Sequence, residues 1–275
     1  MSSPDFANPP VEEVALSVQF ASLAKLDSPG IARYWESVRD RFPAWQDAAA
    51  LPQVLEQFGA PQVELHRLEL QLDPARAPRR ALFTNSDGDE LVQVQHDRFV
   101  RNWRRTASPA RYPRYDALRE RFRADLDGFL EVLAAIGSPA MSANQCELTY
   151  VNLIPTAEVW QQHSQVGNVI GPLSGSYSDS FLHEPELAEA SFRYLIPSPN
   201  GTKPCGRLHV HVAPHHRLPD GDALLRVVLT ARGRPFSDDA AGALAWLDVG
   251  HDFLVRAFAS LTTVAMHRQW ERKDA

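Results

Sequence analysis

The 275 residues include 28 basic and 34 acidic side chains, for a formal net charge of −6, with 44% apolar and 23% charged residues. This describes a globular chain long enough for a sizeable core, and the acidic balance argues against bulk electrostatic binding to nucleic acid or an anionic membrane. Cys146 and Cys205 form no CxxC pair, which argues against a disulfide scaffold or thiolate metal cluster and for a reducing compartment. Residues 1–20 lack the basic start and apolar run of a secretory signal. No stretch reaches the roughly 18 apolar residues of a membrane span, so a cytoplasmic location is expected.

After a polar lead ending in Asn8-Pro9-Pro10, Val14, Leu16, Val18 and Phe20 alternate with polar or small residues, the period of a half-buried strand. Ser28-Pro29 reads as an N-cap followed by proline at the first helical position. Ile31, Trp35, Val38, Phe42 and Trp45 then fall on one helical face. Residues 62–72 read as a strand. Residues 80–85 and 91–100 read as a hairpin around Ser86-Asp87-Gly88-Asp89, because Asp-Gly supplies the positive φ of a tight turn. The stripe Tyr115, Leu118, Phe122, Leu126, Phe129, Leu133 and Ile136 predicts a long amphipathic helix, stopped by Gly137 and Pro139.

The second part repeats this order. Strands are predicted at 147–154, 191–197, 207–213 and 224–231, with an Asp220-Gly221 turn. A closing helix at about 243–270 carries Leu244, Leu247, His251, Leu254, Phe258, Leu261 and Ala265 on one stripe. Glu13 and Glu147 lie 134 positions apart, Asp87 and Asp220 133 apart. The reading is a diverged duplication of a strand–helix–strands–helix unit, residues 1–140 and 141–275, packed as one body. Its fold class is α+β: an antiparallel sheet gripping long helices. Gly167–Tyr177, rich in Gly and Ser, reads as a loop.

Local strings carry a resemblance. They are Asn8-Pro9-Pro10-Val11 with Glu13, Asp97-Arg98-Phe99 with Asn102-Trp103-Arg104, Tyr112-Pro113-Arg114-Tyr115, and Glu147-Leu148-Thr149-Tyr150 with Asn152. Together with a last helix bearing Asp248, His251, Phe258 and Trp270, the chain resembles a sporadically distributed bacterial family of about this length. That resemblance brings no activity with it. It implies an accessory role, such as a part of a defence or toxin–antitoxin module.

Between Arg98 and Arg123 nine arginines (98, 101, 104, 105, 111, 114, 119, 121 and 123) are opposed only by Asp116 and Glu120, with Trp103, Tyr112 and Tyr115 interleaved. Arginine beside aromatics suits phosphate, carboxylate or a stacked ring; a solvated helix face with ion pairs is the competing reading. Arg98, Asn102, Trp103, Arg104 and Tyr112 are expected to converge where a strand ends near Val100 and a helix begins near Pro113. Gln95, Tyr150 and Asn152 join them as polar residues on strands, which either line a pocket or form the wet face of a sheet.

His209 and His211 share a strand face, followed by His215 and His216, but no third ligand is evident, so no metal is expected. His251, one turn from Asp248 and beside Asp252, is the one candidate general base, with Asp248 to orient it; a core histidine satisfied by a backbone carbonyl is the competing reading. No nucleophile elbow, Walker loop or dinucleotide fingerprint is present. The expectation is a binding or regulatory protein without a cofactor, holding a small anionic ligand, peptide or protein partner between its halves, and able to form a homodimer. The alternative is an enzyme acting on an anionic substrate through Arg98, Arg104 and His251.

Overall fold

Alternation over Val11–Phe20 produces β1, the strand on which the sheet is built. The computed structural model describes residues 3–59, 79–106, 111–175, 179–183, 185–199, 201–217, 219 and 221–273. The predicted strand at 62–72 and Asp220 lie outside them. After β1 come α1 (Ser28–Val38), β2 (Ala44–Ala49), β3 (Arg79–Thr84), β4 (Glu90–Gln95), β5 (Arg98–Arg104), α2 (Tyr115–Ala135), β6 (Ala143–Pro155), β7 (Ala190–Pro197), β8 (Pro204–His216), β9 (Ala223–Gly233), α3 (Ala240–Leu261) and α4 (Val264–Gln269). The strands form one nine-stranded sheet in the order β2-β3-β4-β5-β1-β6-β9-β8-β7. Every neighbouring pair is antiparallel. No helix among the described residues is long and apolar enough to cross a membrane.

The N-cap of α1 is Asp27, one residue before the expected Ser28; its carboxylate accepts from Gly30 N–H at 3.1 Å. Gly30 is required there, because a Cβ would lie 2.1 Å from the Lys25 carbonyl oxygen. The helix stops at Val38, and Pro43 forbids its extension. Trp45 therefore sits on β2 and meets Trp35 edge-on at 5.5 Å instead of sharing its helical face. The predicted strand 91–100 is two strands, folded back at His96-Asp97, where Gln95 Nε2 donates to Asp97 at 2.7 Å. The predicted terminal helix breaks at Thr262-Thr263: Thr262 is extended, and Thr263 Oγ1 caps α4.

The apolar side of the sheet is covered by helices, with α2 on β5 and α3 on β6 and β9. Tyr34, Phe83, Phe99, Phe122 and Phe129 interlock under α1 and α2. Under α3, Trp246 lies on Gly206 and Gly233, at each of which a Cβ would come within 2.8 Å of its ring. The opposite side carries polar side chains and is crossed by residues 51–58. Ser17 and Gln19 are buried as fully as their apolar neighbours because this segment lies over that end of β1.

Candidate functional site

The first residues of the chain, the start of α2, strand β6 and the middle of α3 enclose a cleft of about 190 Å³. Its apolar walls include Phe6, Val11, Leu254 and Phe258; Tyr112, Tyr150, Asn152 and His251 are among its polar groups, with Asp5, Arg114 and Asp116 also on its lining. Three separations in sequence close here. Tyr150 is on β6 opposite Val14 of β1, which itself faces Trp103 of β5. Tyr112 and Tyr115 lie on either side of the turn into α2. His251 comes from the apolar stripe of α3. Arg114 holds the entry to α2 in a positive-φ conformation, φ 71°, which costs a non-glycine residue on the order of 1–3 kcal/mol. Its guanidinium donates to the Phe6 carbonyl at 2.8 Å and pairs with Asp5, tying the N-terminal segment down as the lip of the cleft.

Tyr112 and Tyr150 share a hydroxyl–hydroxyl hydrogen bond of 2.8 Å, and the Tyr150 hydroxyl lies 3.2 Å from His251 Nδ1. The Tyr115 ring stacks on the His251 ring at 3.8 Å, only 6° from parallel. Tyr115 donates its own hydroxyl proton to Asp248 at 2.9 Å, and Arg119 binds both oxygens of the same carboxylate. Burial depresses the His251 pKa to about 4, against the pull of Asp116, Asp252 and Asp248. Burial raises Tyr112 to about 12 and holds Tyr150 well above its ordinary value, so all three members of the chain are neutral at pH 7.

A neutral Tyr–Tyr–His chain has two proton arrangements. In one, Tyr112 donates to Tyr150, which donates to His251, and Tyr112 offers only lone pairs to the cleft. In the other, the Nδ1 proton of His251 goes to Tyr150, Tyr150 donates to Tyr112, and Tyr112 turns its proton to the cleft. An acceptor or anion in the cleft selects the second.

A cationic rim adjoins this cleft. Arg105, Arg111, Arg114 and Lys273 surround a second depression that shares Pro9, Tyr112 and Arg114 with the first. Asp5 pairs with Arg114 and Lys273, and Glu12 with Arg105.

The sequence-predicted residues separate into two groups. Tyr112, Tyr150, Asn152 and His251 meet in the cleft, with Trp103 buried 5.6 Å behind the Tyr112 ring. Asp248 lies next to them, but its hydrogen bonds go to Arg119 and Tyr115, so Tyr150 and not a carboxylate orients His251. Arg98, Asn102 and Arg104 do not converge with Tyr112. β5 continues to Arg104 instead of ending at Val100, and its alternation turns these three side chains to the sheet's other side. There Arg98 donates to Gln19 and to the Pro52 carbonyl, Asn102 joins Gln93 and Glu13, and Arg104 donates to the Gly88 carbonyl. Gln95 bonds both backbone groups of Leu51 on that same side. The combination of Arg98 and Arg104 with His251 is therefore not assembled.

His209 pairs with Glu56 at 3.0 Å and His211 with Glu189 at 3.3 Å, each imidazole on its own carboxylate. Sequence reasoning missed Phe6 and Asp5, read as part of a polar lead, and Tyr115, read as core. The Tyr112-Pro-Arg-Tyr115 string was the available signal for Tyr115. Nothing local marks residues 3–9, because their role depends on Arg114 and the C-terminal helix. No family model matches the chain, and no curated protein matches it.

Proposed function

We propose that this chain is a binding protein whose ligand is a small amphipathic anion, held in the cleft with its apolar body on Phe6, Leu254 and Phe258 and its charged end toward Tyr112 and the cationic rim. The observation that carries this reading is the continuity of the apolar cleft with the rim of Arg105, Arg111, Arg114 and Lys273 through Tyr112. A carboxylate there meets a hydroxyl that the Tyr150–His251 pair can switch to donor, and charge-assisted hydrogen bonds to arginine are the stronger kind. The role is that of a cytoplasmic binding or accessory protein of the sporadically distributed bacterial family it resembles, acting in a defence or toxin–antitoxin module.

The cleft lies between two halves that we read as a diverged duplication. Outward from the central β1–β6 pair the order is β5, β4, β3 on one side and β9, β8, β7 on the other, and α2 and α3 close the two runs. Glu13 bonds Asn102 on β5, and Glu147 bonds Arg232 on β9, which supports equivalence of the two glutamates. The Asp-Gly turns do not support it: Gly88 joins β3 to β4, whereas Gly221 joins β8 to β9.

Thermal shift with octanoate, octanol and octylamine tests the ligand class. Octanoate is expected to raise the melting temperature, octanol less, and octylamine not at all. Arg111→Ala with Tyr112→Phe should remove the preference for the anion. Equal shifts from all three compounds would overturn the reading.

A further inference from the structure

Residues Leu51–Phe58 cross the polar side of the sheet as an extended strap, and what holds them there is unusual in its chemistry. Gln95 of β4 accepts from Leu51 N–H and donates to Leu51 C=O, both at 2.8 Å. Gln19 of β1 does the same for Val54, at 3.0 and 3.3 Å. Gln145 of β6 accepts from Glu56 N–H at 3.1 Å, and Arg98 donates to the Pro52 carbonyl at 2.8 Å. Side-chain amides thus take the place of a neighbouring strand, reading main chain as β-strand addition does. Pro52, Gln53, Leu55, Gln57 and Phe58 are exposed, so the surface takes almost nothing from side-chain identity. The exceptions are Glu56, 1% exposed, whose carboxylate is held by Arg207 and by His209 at 3.0 Å, and Phe58, whose ring lies 5.5 Å from the same Arg207 guanidinium.

The strap does not complete the surface that holds it. Gln19 and Gln95 each bond the strap in both directions, but Gln145 uses only its oxygen. Among the described residues its Nε2 is buried without a partner, as is Arg98 Nε on the same side. Buried donors are ordinarily satisfied, and each one left unmade is unfavourable.

We propose that this side of the sheet is a second binding site, for an extended peptide segment of another protein that carries a glutamate, and that Leu51–Phe58 occupies it in cis as a competitor. The glutamine amides would clamp the peptide main chain, Arg207 and His209 would take its carboxylate, and the donors of Gln145 and Arg98 would find carbonyls the strap does not offer. As part of the same chain, the strap competes at high effective concentration. Loosening its buried carboxylate anchor, Glu56, should therefore expose the site.

The test uses the full chain and a fluorescein-labelled peptide of sequence LPQVLEQF, read by fluorescence polarisation. Glu56→Gln should bind the peptide at least tenfold more tightly than the wild-type chain does. The same peptide with Gln for Glu should bind that variant at least tenfold more weakly. Circular dichroism and melting establish that the variant is folded. A second measurement needs no variant: millimolar peptide should accelerate hydrogen exchange at the Val54 and Glu56 amides of the wild-type chain. A folded variant that binds both peptides alike, or exchange unchanged at those two amides, would overturn the proposal.

Discussion

The two sides of the sheet satisfy buried polar groups in different ways. On the helix side, the most buried charged groups lie against aromatic rings and close into a compact set. Arg101 is bound by Glu90 and Asp125, Asp125 also by Arg41, and Tyr115 stacks on the histidine of the tyrosine–histidine chain. On the strap side, Gln19, Gln95 and Arg98 bond, besides neighbouring side chains, the backbone of a segment whose own side chains are mostly exposed. A segment held that way can lift and let water replace the glutamine amides, whereas fully buried helix-side groups such as Arg101 and Asp125 cannot be rehydrated without opening the core. The same residue types therefore carry different consequences when disturbed.

The largest expected effect is on the helix side. Asp125→Ala leaves the Arg101 guanidinium, 3% exposed and lying over the Phe42 ring, with Glu90 alone. Breaking a buried charge set by removing one partner costs about 3–5 kcal/mol. Urea denaturation should show that loss, and a loss under about 1 kcal/mol would erase the contrast between the two sides.

His251 sharpens the comparison through pH. Its folded pKa of about 4 lies below its ordinary value of 6.5. The unfolded chain thus binds the proton first as pH falls. Stability from this group is complete above about pH 6.5 and declines toward pH 4, by roughly 3 kcal/mol in all. His251→Gln should flatten that part of the stability profile relative to wild type, and superimposable profiles between pH 4 and 6.5 would contradict a buried neutral imidazole.

The smallest effect is expected at Arg104, on the strap side, where an exposed guanidinium donates to one carbonyl, that of Gly88. Arg104→Ala should change stability by less than about 0.5 kcal/mol and leave the octanoate shift intact, because the cleft is across the sheet. A lost octanoate shift would return Arg104 to the site.

Much of the site's chemistry was legible in the Tyr-Pro-Arg-Tyr and Glu-Leu-Thr-Tyr strings, whose Tyr112, Tyr115 and Tyr150 gather around His251. The arginine run was legible as charge but not as position. Alternation along β5 sends Arg98 and Arg104 to one side and Arg101 to the other, so closeness in sequence did not become closeness in space. Gln95 had two readings, pocket or wet face. Its role as a clamp, shared with Gln19 and Gln145, depended on residues 51–58, a stretch without periodicity of its own.

Hydrophobic period and caps, which act over a few residues, determined most of the strands, the long α2 helix and the antiparallel α+β class. Which strands became neighbours, which carboxylate met which guanidinium, and that the first residues would close a cleft with α3 were decided only by tertiary structure. Contacts such as Arg114 with Asp5 and Arg119 with Asp248 join positions 109 and 129 residues apart, and sequence spacing carries no record of a distance that chain folding alone sets.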